Sequence, residues 1–227
     1  MELWNFDDFV ILQFNADGAV NPMYLSALKH VDALVGFLND VCSGASKGTL
    51  SIINAETGCG KTMLMKSVCR ELTELGKSCV YQTSQQFVTD LILAISRDSI
   101  SPLLHKNCDV YVMDDCFSLF PETFKVLEQI HKASPSTSMF LLFDACIPLE
   151  KYVLPRLHVD NVFEIPAPCE AARKTFVKDY LDSEAGRGLN ISMDRALAIA
   201  SEHMHIAAFR SAIQRESIER GYQHGTD

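Results

Sequence analysis

Nowhere in these 227 residues is there an apolar run long enough to cross a bilayer, and Met1 is not followed by a basic-then-apolar leader. No membrane span is therefore expected. Paired cysteine spacing is also missing: the eight cysteines stand at 42, 59, 69, 79, 108, 116, 146 and 169, without the rhythm of a zinc site or a disulfide framework. Several fall in expected strands, so buried free thiols in a reducing cytoplasm are expected and zinc is not. There is no cluster of Lys and Arg. The net charge is −9, and because the charges balance from Pro168 to Arg220 the negative excess lies upstream. Such a surface repels duplex DNA on average. Repeats and low-complexity segments are missing too, and only the last few residues read as a frayed tail. What remains, 48% apolar and 22% charged, fits one large globular domain or a domain with a small appendage.

The strongest local signal is Ala55-Glu56-Thr57-Gly58-Cys59-Gly60-Lys61-Thr62. It follows a short apolar stretch, Leu50–Ile53, and precedes Met63, Leu64, Ser67, Val68, Leu72 and Leu75 at helical spacing, with Gly76 where a helix C-cap belongs. A strand, a glycine-bearing turn and a helix N-terminus make an anion nest, in which backbone N–H groups turn inward around a phosphate. Lys61 would add a point charge for the terminal phosphates and Thr62 a hydroxyl for Mg²⁺. The candidate nucleotide contacts are Gly58, Cys59, Gly60, Lys61, Thr62 and Met63. Ala55 stands where the pattern has its first glycine, one residue short of the full motif. Cys59 is a thiol open to oxidation when no nucleotide covers it.

Strands and helices alternate around this loop. A helical pattern runs from Asn21 to Cys42; further strands are expected at Ser78–Gln82, Cys108–Met113, Ser138–Phe143 and Val162–Ile165, with helices at 85–96 and 121–132 between them. The alternation predicts a parallel five-stranded sheet with helices on both faces, an α/β fold. After Pro166 and Pro168 only helices are expected, near 169–183, 192–203 and 205–220. The boundary is placed so that residues 1–167 form the α/β domain and 168–227 a helical lid.

A phosphate loop calls for carboxylates at the C-terminal end of a neighbouring strand. Asp114 and Asp115 meet that need, the first as a Mg²⁺ ligand, directly or through water, and the second to orient an attacking water. Aspartate pairs after strands also cap helices; the loop upstream favours the catalytic reading. Asp144 ends the next strand and could sense a γ-phosphate through a water, or simply begin a turn.

The order of these motifs resembles the AAA+ core of the bacterial replication-initiator DnaA family, which includes the short regulator Hda. The resemblance rests on Trp4-Asn5-Phe6-Asp7-Asp8-Phe9-Val10, the phosphate loop, Val80–Phe87, Asp109–Asp115 and Leu142-Phe143-Asp144, and covers roughly residues 4–218. It implies a P-loop AAA+ fold with a Rossmann-like sheet and a helical lid, and a site for ATP or ADP with Mg²⁺. It also implies that Asn15 lies near the adenine, that Asp144 serves as sensor 1, and that Arg156 is an arginine finger acting on a neighbouring subunit. An arginine at a helix end also has a structural use. Departures are visible as well. Leu12 stands for a glycine, Leu142-Phe143 for Thr-Ser, and Ala207 for the sensor 2 arginine, with Arg210 three residues on, near the same helix face.

The chain ends soon after the lid, so no helix-turn-helix domain is expected, and only Met1-Glu2-Leu3 precede the first box, which leaves clamp binding without a motif. An Hda-like regulator in the cytoplasm is the reading these features favour. Its partner would be a DnaA-type initiator or another AAA+ protein, homo-oligomers included, with weak or absent duplex binding and at most weak ATPase activity. The alternatives are a DnaC-like helicase loader, which needs a basic single-strand groove, a nucleotide-locked adaptor, and, more distantly, a small-metabolite kinase.

Overall fold

The structure, a computed structural model, describes residues 25–97, 103, 108–116, 119–165, 167, 170–182, 184–203 and 205–223. The box at Trp4–Val10, Asn15 and Cys169 lie outside them. The described chain runs α1 (Leu25–Ser43), β1 (Leu50–Ala55), α2 (Lys61–Glu74), β2 (Cys79–Thr83), α3 (Ser84–Ser96), β3 (Val110–Asp114), α4 (Pro121–Ala133), β4 (Ser138–Asp144), α5 (Leu149–Tyr152), β5 (Asn161–Ile165), α6 (Glu170–Asp182), α7 (Glu184–Arg187), α8 (Met193–Glu202) and α9 (Ile206–Gln223). Each expected strand is present, its ends moved by at most two residues. The short helices α5 and α7 have no counterpart among the expected elements; with four residues each, they are too brief to show a period.

The strands form one parallel sheet in the order β2-β3-β4-β1-β5. Central β3 and β4 are buried along nearly their whole length, whereas the edge strands β2 and β5 are only partly buried. A strand covered on both faces must be apolar at every position, which is why β4 reads Met139-Phe140-Leu141-Leu142-Phe143 without alternation. The two faces separate by parity. Leu50, Ile52, Tyr111, Met113, Met139, Leu141 and Phe143 share a core with Phe87 and Ala94 of α3 and with Phe124, Leu127 and Ile130 of α4. On the other parity lie buried Ile53, Val112, Phe140 and Leu142, with Phe37 of α1 against Phe140 and Phe163 at ring centroid distances of 6.0 and 5.3 Å.

Local signals end the helices as the sequence suggests. Gly76, at φ +75°, closes α2: its N–H reaches Thr73 O at 3.0 Å and that of Lys77 reaches Leu72 O at 2.8 Å. Thr83 and Gln86 form a capping box at the start of α3.

The described residues divide into two compact units. The larger spans Lys29–Glu56 and Lys61–Ile165 and holds the sheet. The smaller takes in the turn Thr57–Gly60 together with α6 to α9. Its core is Phe176, Val177 and Tyr180 of α6, Ala196, Ile199 and Ala200 of α8, and Phe209 and Ile213 of α9. Among the described residues no helix is long and apolar enough to cross a membrane.

Candidate functional site

Parallel register brings the sequence's acidic strand ends to one edge of the sheet. Ala55, the last residue of β1, pairs with Asp144 of β4, while Thr83 of β2 pairs with Asp114 of β3. All are C-terminal strand ends, where open α/β sheets place their ligands.

Lys61 begins α2, and its side chain is mostly buried. Its Nζ donates to the carbonyls of Ala55 and, at 3.1 Å, of Glu56, and lies 3.8 Å from Asp144 Oδ2. The ammonium thus sits at the end of β1, flanked by backbone acceptors and one carboxylate. Asp144 is itself held: its Oδ1 accepts from the N–H of Cys146 at 3.0 Å.

Thr62 donates its hydroxyl to Asp114 Oδ2 at 2.7 Å. Tyr81 Oη donates to the same oxygen, and the N–H of Asp115 donates to Asp114 Oδ1 at 2.8 Å. Asp114 is 4% exposed, so this carboxylate is buried with donors on both oxygens. Donation by Thr62 leaves the lone pairs of its own oxygen free for a cation. A threonine hydroxyl beside a fixed carboxylate is an all-oxygen donor set, which suits a hard ion such as Mg²⁺.

Asp115 differs from its neighbour. It is exposed, and it is the one non-glycine with positive φ, +57°, among the described residues. Its carbonyl accepts from Ser84 Oγ at 2.6 Å, which pins the unusual backbone. Desolvation, and then the charge of Asp114, push its carboxyl above the ordinary range, with Lys61 and Lys66 opposing.

In the turn, Gly58 and Gly60 take φ of +87° and +94°, the left-handed values an inward-facing nest of N–H groups requires. Within the smaller unit a Cβ on Gly58 would meet the Cβ atoms of Ala207 and His205, each at 3.2 Å. Ala207, to which the resemblance assigns the place of a sensor 2 arginine, is therefore a neighbour of the glycine turn and carries only a methyl group. Arg210 is exposed. Cys59, expected to be an oxidisable thiol, is instead fully buried, its Sγ 3.5 Å from His205 Nδ1. His205 belongs to the same unit but stands 146 residues away in the sequence, so no local pattern reveals this contact. Cys42, Cys69 and Cys79 are half-buried and Cys146 is exposed, so uniform burial of the thiols does not hold either.

Met63 is the third residue of α2, where its backbone lies beside Thr62. Arg156 is exposed and donates from Nη1 to Lys151 O at 3.2 Å and Tyr152 O at 2.9 Å, capping α5. The structure thus gathers Lys61, Thr62, Asp114, Asp115 and Asp144 at the strand ends, sets Arg156 on a separate helix end, and leaves Asn15 outside the described residues. Tyr81 and Ser84 were missed as site residues. Tyr81's register opposite Val112, two residues before Asp114 and on the same face, was the signal that could have found it.

No protein-family model matches the chain. It is 30% identical over 130 residues to the chromosomal replication initiator protein DnaA of Campylobacter jejuni strain 81-176, a match covering 56% of this chain and 26% of that protein. The matched segment thus spans about a quarter of the length of that curated relative. Domain III of the Thermotoga maritima replication initiation protein DnaA aligns with TM-score 0.68 and 19% identity over 100% of this chain and 92% of that one. A replication initiator DnaA bound to AMPPCP and single-stranded DNA aligns with TM-score 0.67 and 15% identity, covering 99% and 69%. The five-stranded parallel sheet with flanking helices is the fold these proteins share. The chain is thus similar in sequence to DnaA over 130 residues and shares the fold of DnaA domain III.

Proposed function

We propose that this protein is a nucleotide-dependent regulator of chromosomal replication initiation, acting on a DnaA-type initiator in the manner of Hda. The observation that carries the reading is the Lys61, Thr62, Asp114 and Asp144 constellation at the end of β1, β3 and β4, in a core related to DnaA. Lys61 and the glycine turn would hold the phosphates of ATP or ADP, with Thr62 and Asp114 as the magnesium-binding pair. Bound Mg²⁺ would neutralise phosphate charge. Asp115, exposed beside that pair, would orient water, and Asp144, already within reach of Lys61, would respond to the γ-phosphate. Arg156 would reach the nucleotide of a neighbouring AAA+ subunit, so a monomer lacks its finger and hydrolyses ATP slowly, if at all.

A second reading, a nucleotide-locked adaptor, draws on one observation. Ala207 neighbours the glycine turn where an arginine would sense the γ-phosphate, and a methyl group cannot tell ATP from ADP. The net charge of −9 favours a protein partner over duplex DNA in either reading.

The test is co-elution of the protein with the full-length initiator of the same organism, with ATP, ADP or no nucleotide. Nucleotide-dependent complex formation, weakened by Lys61→Ala and by Arg156→Ala, is expected. Equal affinity for ATP and ADP would select the adaptor. Salt-sensitive binding to duplex DNA without any initiator complex would defeat both readings.

A further inference from the structure

The sheet contains two tyrosines whose hydroxyls are engaged. Tyr111 of β3 donates to Gln82 Oε1 at 2.8 Å inside the core, a neutral pairing that satisfies a buried hydroxyl. Tyr81 of β2 spends its hydroxyl on the Asp114 carboxylate. The geometry follows from register. Tyr81 pairs with Val112, so its side chain shares a face with Val112 and Asp114. Asp114 lies two residues further along, roughly 6.6 Å of strand rise, a span a tyrosine leaning along the strand covers. Lys66 of α2 stands 5.3 Å over the centre of the tyrosine ring and holds it from the outside.

We propose that Tyr81 is a positioning residue for Asp114, and through it fixes the magnesium-dependent part of nucleotide binding. The inference rests on the nucleotide-site reading above. A carboxylate's outer torsion is soft and broadly distributed, so a lone aspartate at a metal site swings. Asp114 has the N–H of Asp115 on Oδ1 and two hydroxyls on Oδ2, one from Thr62 and one from Tyr81. Thr62 has a second task, since its oxygen must face the cation. Tyr81 stands one bond further from the cation, and its hydroxyl proton goes to Asp114. Partners of this kind, one bond removed from the metal, typically contribute about 10–100-fold to metal affinity.

The experiment compares wild type with Tyr81→Phe, titrating each with a fluorescent ADP analogue in EDTA and again in saturating Mg²⁺. Phenylalanine keeps the ring beneath Lys66 and removes only the donor. Thermal unfolding without ligand monitors the fold. The expected result is unchanged affinity in EDTA, within about twofold, and a loss of roughly tenfold in the Mg²⁺-dependent enhancement. An equal drop in both arms would make Tyr81 a packing residue and overturn the proposal. An unchanged enhancement would overturn it as well. Failure of wild type to bind the analogue in either arm would instead sink the nucleotide-site reading, and this inference with it.

Discussion

The sheet unit and the helical unit hold themselves together by different means. In the sheet unit, side chains on both faces of β1, β3 and β4 are buried, and each strand's register is fixed by its neighbours. The described part of the helical unit packs around a small cluster at Phe176, whose ring meets that of Phe209 edge-on at 5.1 Å, supplemented by polar ties between helices. Those ties include Arg173 to Ala200 O, Gln214 to Tyr180 Oη, and the Arg195–Glu216 ion pair. A two-sided core over-determines the backbone. That is why the sheet unit can afford Asp115 in the left-handed region, whereas no described non-glycine residue of the helical unit is so placed.

Truncating one large core ring in each unit tests the difference most directly. Phe140 is wholly buried in the middle of β4, and Phe209 is wholly buried on α9. Each change to alanine is expected to cost about 3–5 kcal/mol locally. In Phe140→Ala, hydrogen exchange should accelerate along all five strands at once, because removing one central strand undoes the sheet. In Phe209→Ala, acceleration should stay within 170–223 and the turn Thr57–Gly60, which belongs to the same unit. Acceleration across the strands in Phe209→Ala would erase the distinction.

A covalent tie sharpens the comparison from the other side. Cys69 of α2 and Cys79 of β2 have their Sγ atoms 2.6 Å apart, although their sequence spacing resembles no motif. Oxidised glutathione at mildly alkaline pH should convert the two thiols to a disulfide, releasing two equivalents of reduced glutathione. Closing so short a loop should stabilise the sheet unit by about 2–3 kcal/mol. The mass of the linked tryptic peptides and the unfolding midpoint before and after reduction would check this. A disulfide joining other cysteines, or a lowered midpoint, would refute it.

The sequence announced the sheet because its signals are local or periodic: apolar strands, a glycine turn, a helix stopped by Gly76. The strand-end carboxylates were legible for the same reason, since a phosphate loop prescribes where acidic groups must stand. What stayed hidden depends on pairing between strands or between distant segments. Tyr81 becomes a site residue only through its register with Val112. Cys59 is covered by His205, 146 residues away. The Cys69–Cys79 contact arises because α2 turns at Gly76 and delivers β2 back along its side. None of these leaves a periodic trace.

The smallest effect expected is also the one that bears on activity. Asp115 combines positive φ with a carboxyl pushed up by desolvation and by Asp114. Asparagine tolerates the left-handed region and carries no charge, so Asp115→Asn should stabilise the nucleotide-free protein at pH 7, by no more than about 0.5 kcal/mol because the side chain is exposed and its charge screened. The gain has a definite pH dependence. A carboxyl whose folded value lies above its unfolded 3.8 binds more protons in the folded state within that window, so its ionisation costs stability as pH rises through it. The advantage of asparagine should therefore be full above the raised value and vanish below 3.8. Asp115→Gly separates the backbone contribution, because relief of the +57° φ does not titrate, and whatever gain glycine retains at pH 3 measures that strain. If Asp115 orients water as proposed above, both variants should also lose ATPase activity, since neither offers a carboxylate there. Unfolding curves at pH 3 and pH 7 for the three proteins decide it. A benefit of asparagine that persists undiminished at pH 3 would mean that charge is not what makes Asp115 costly.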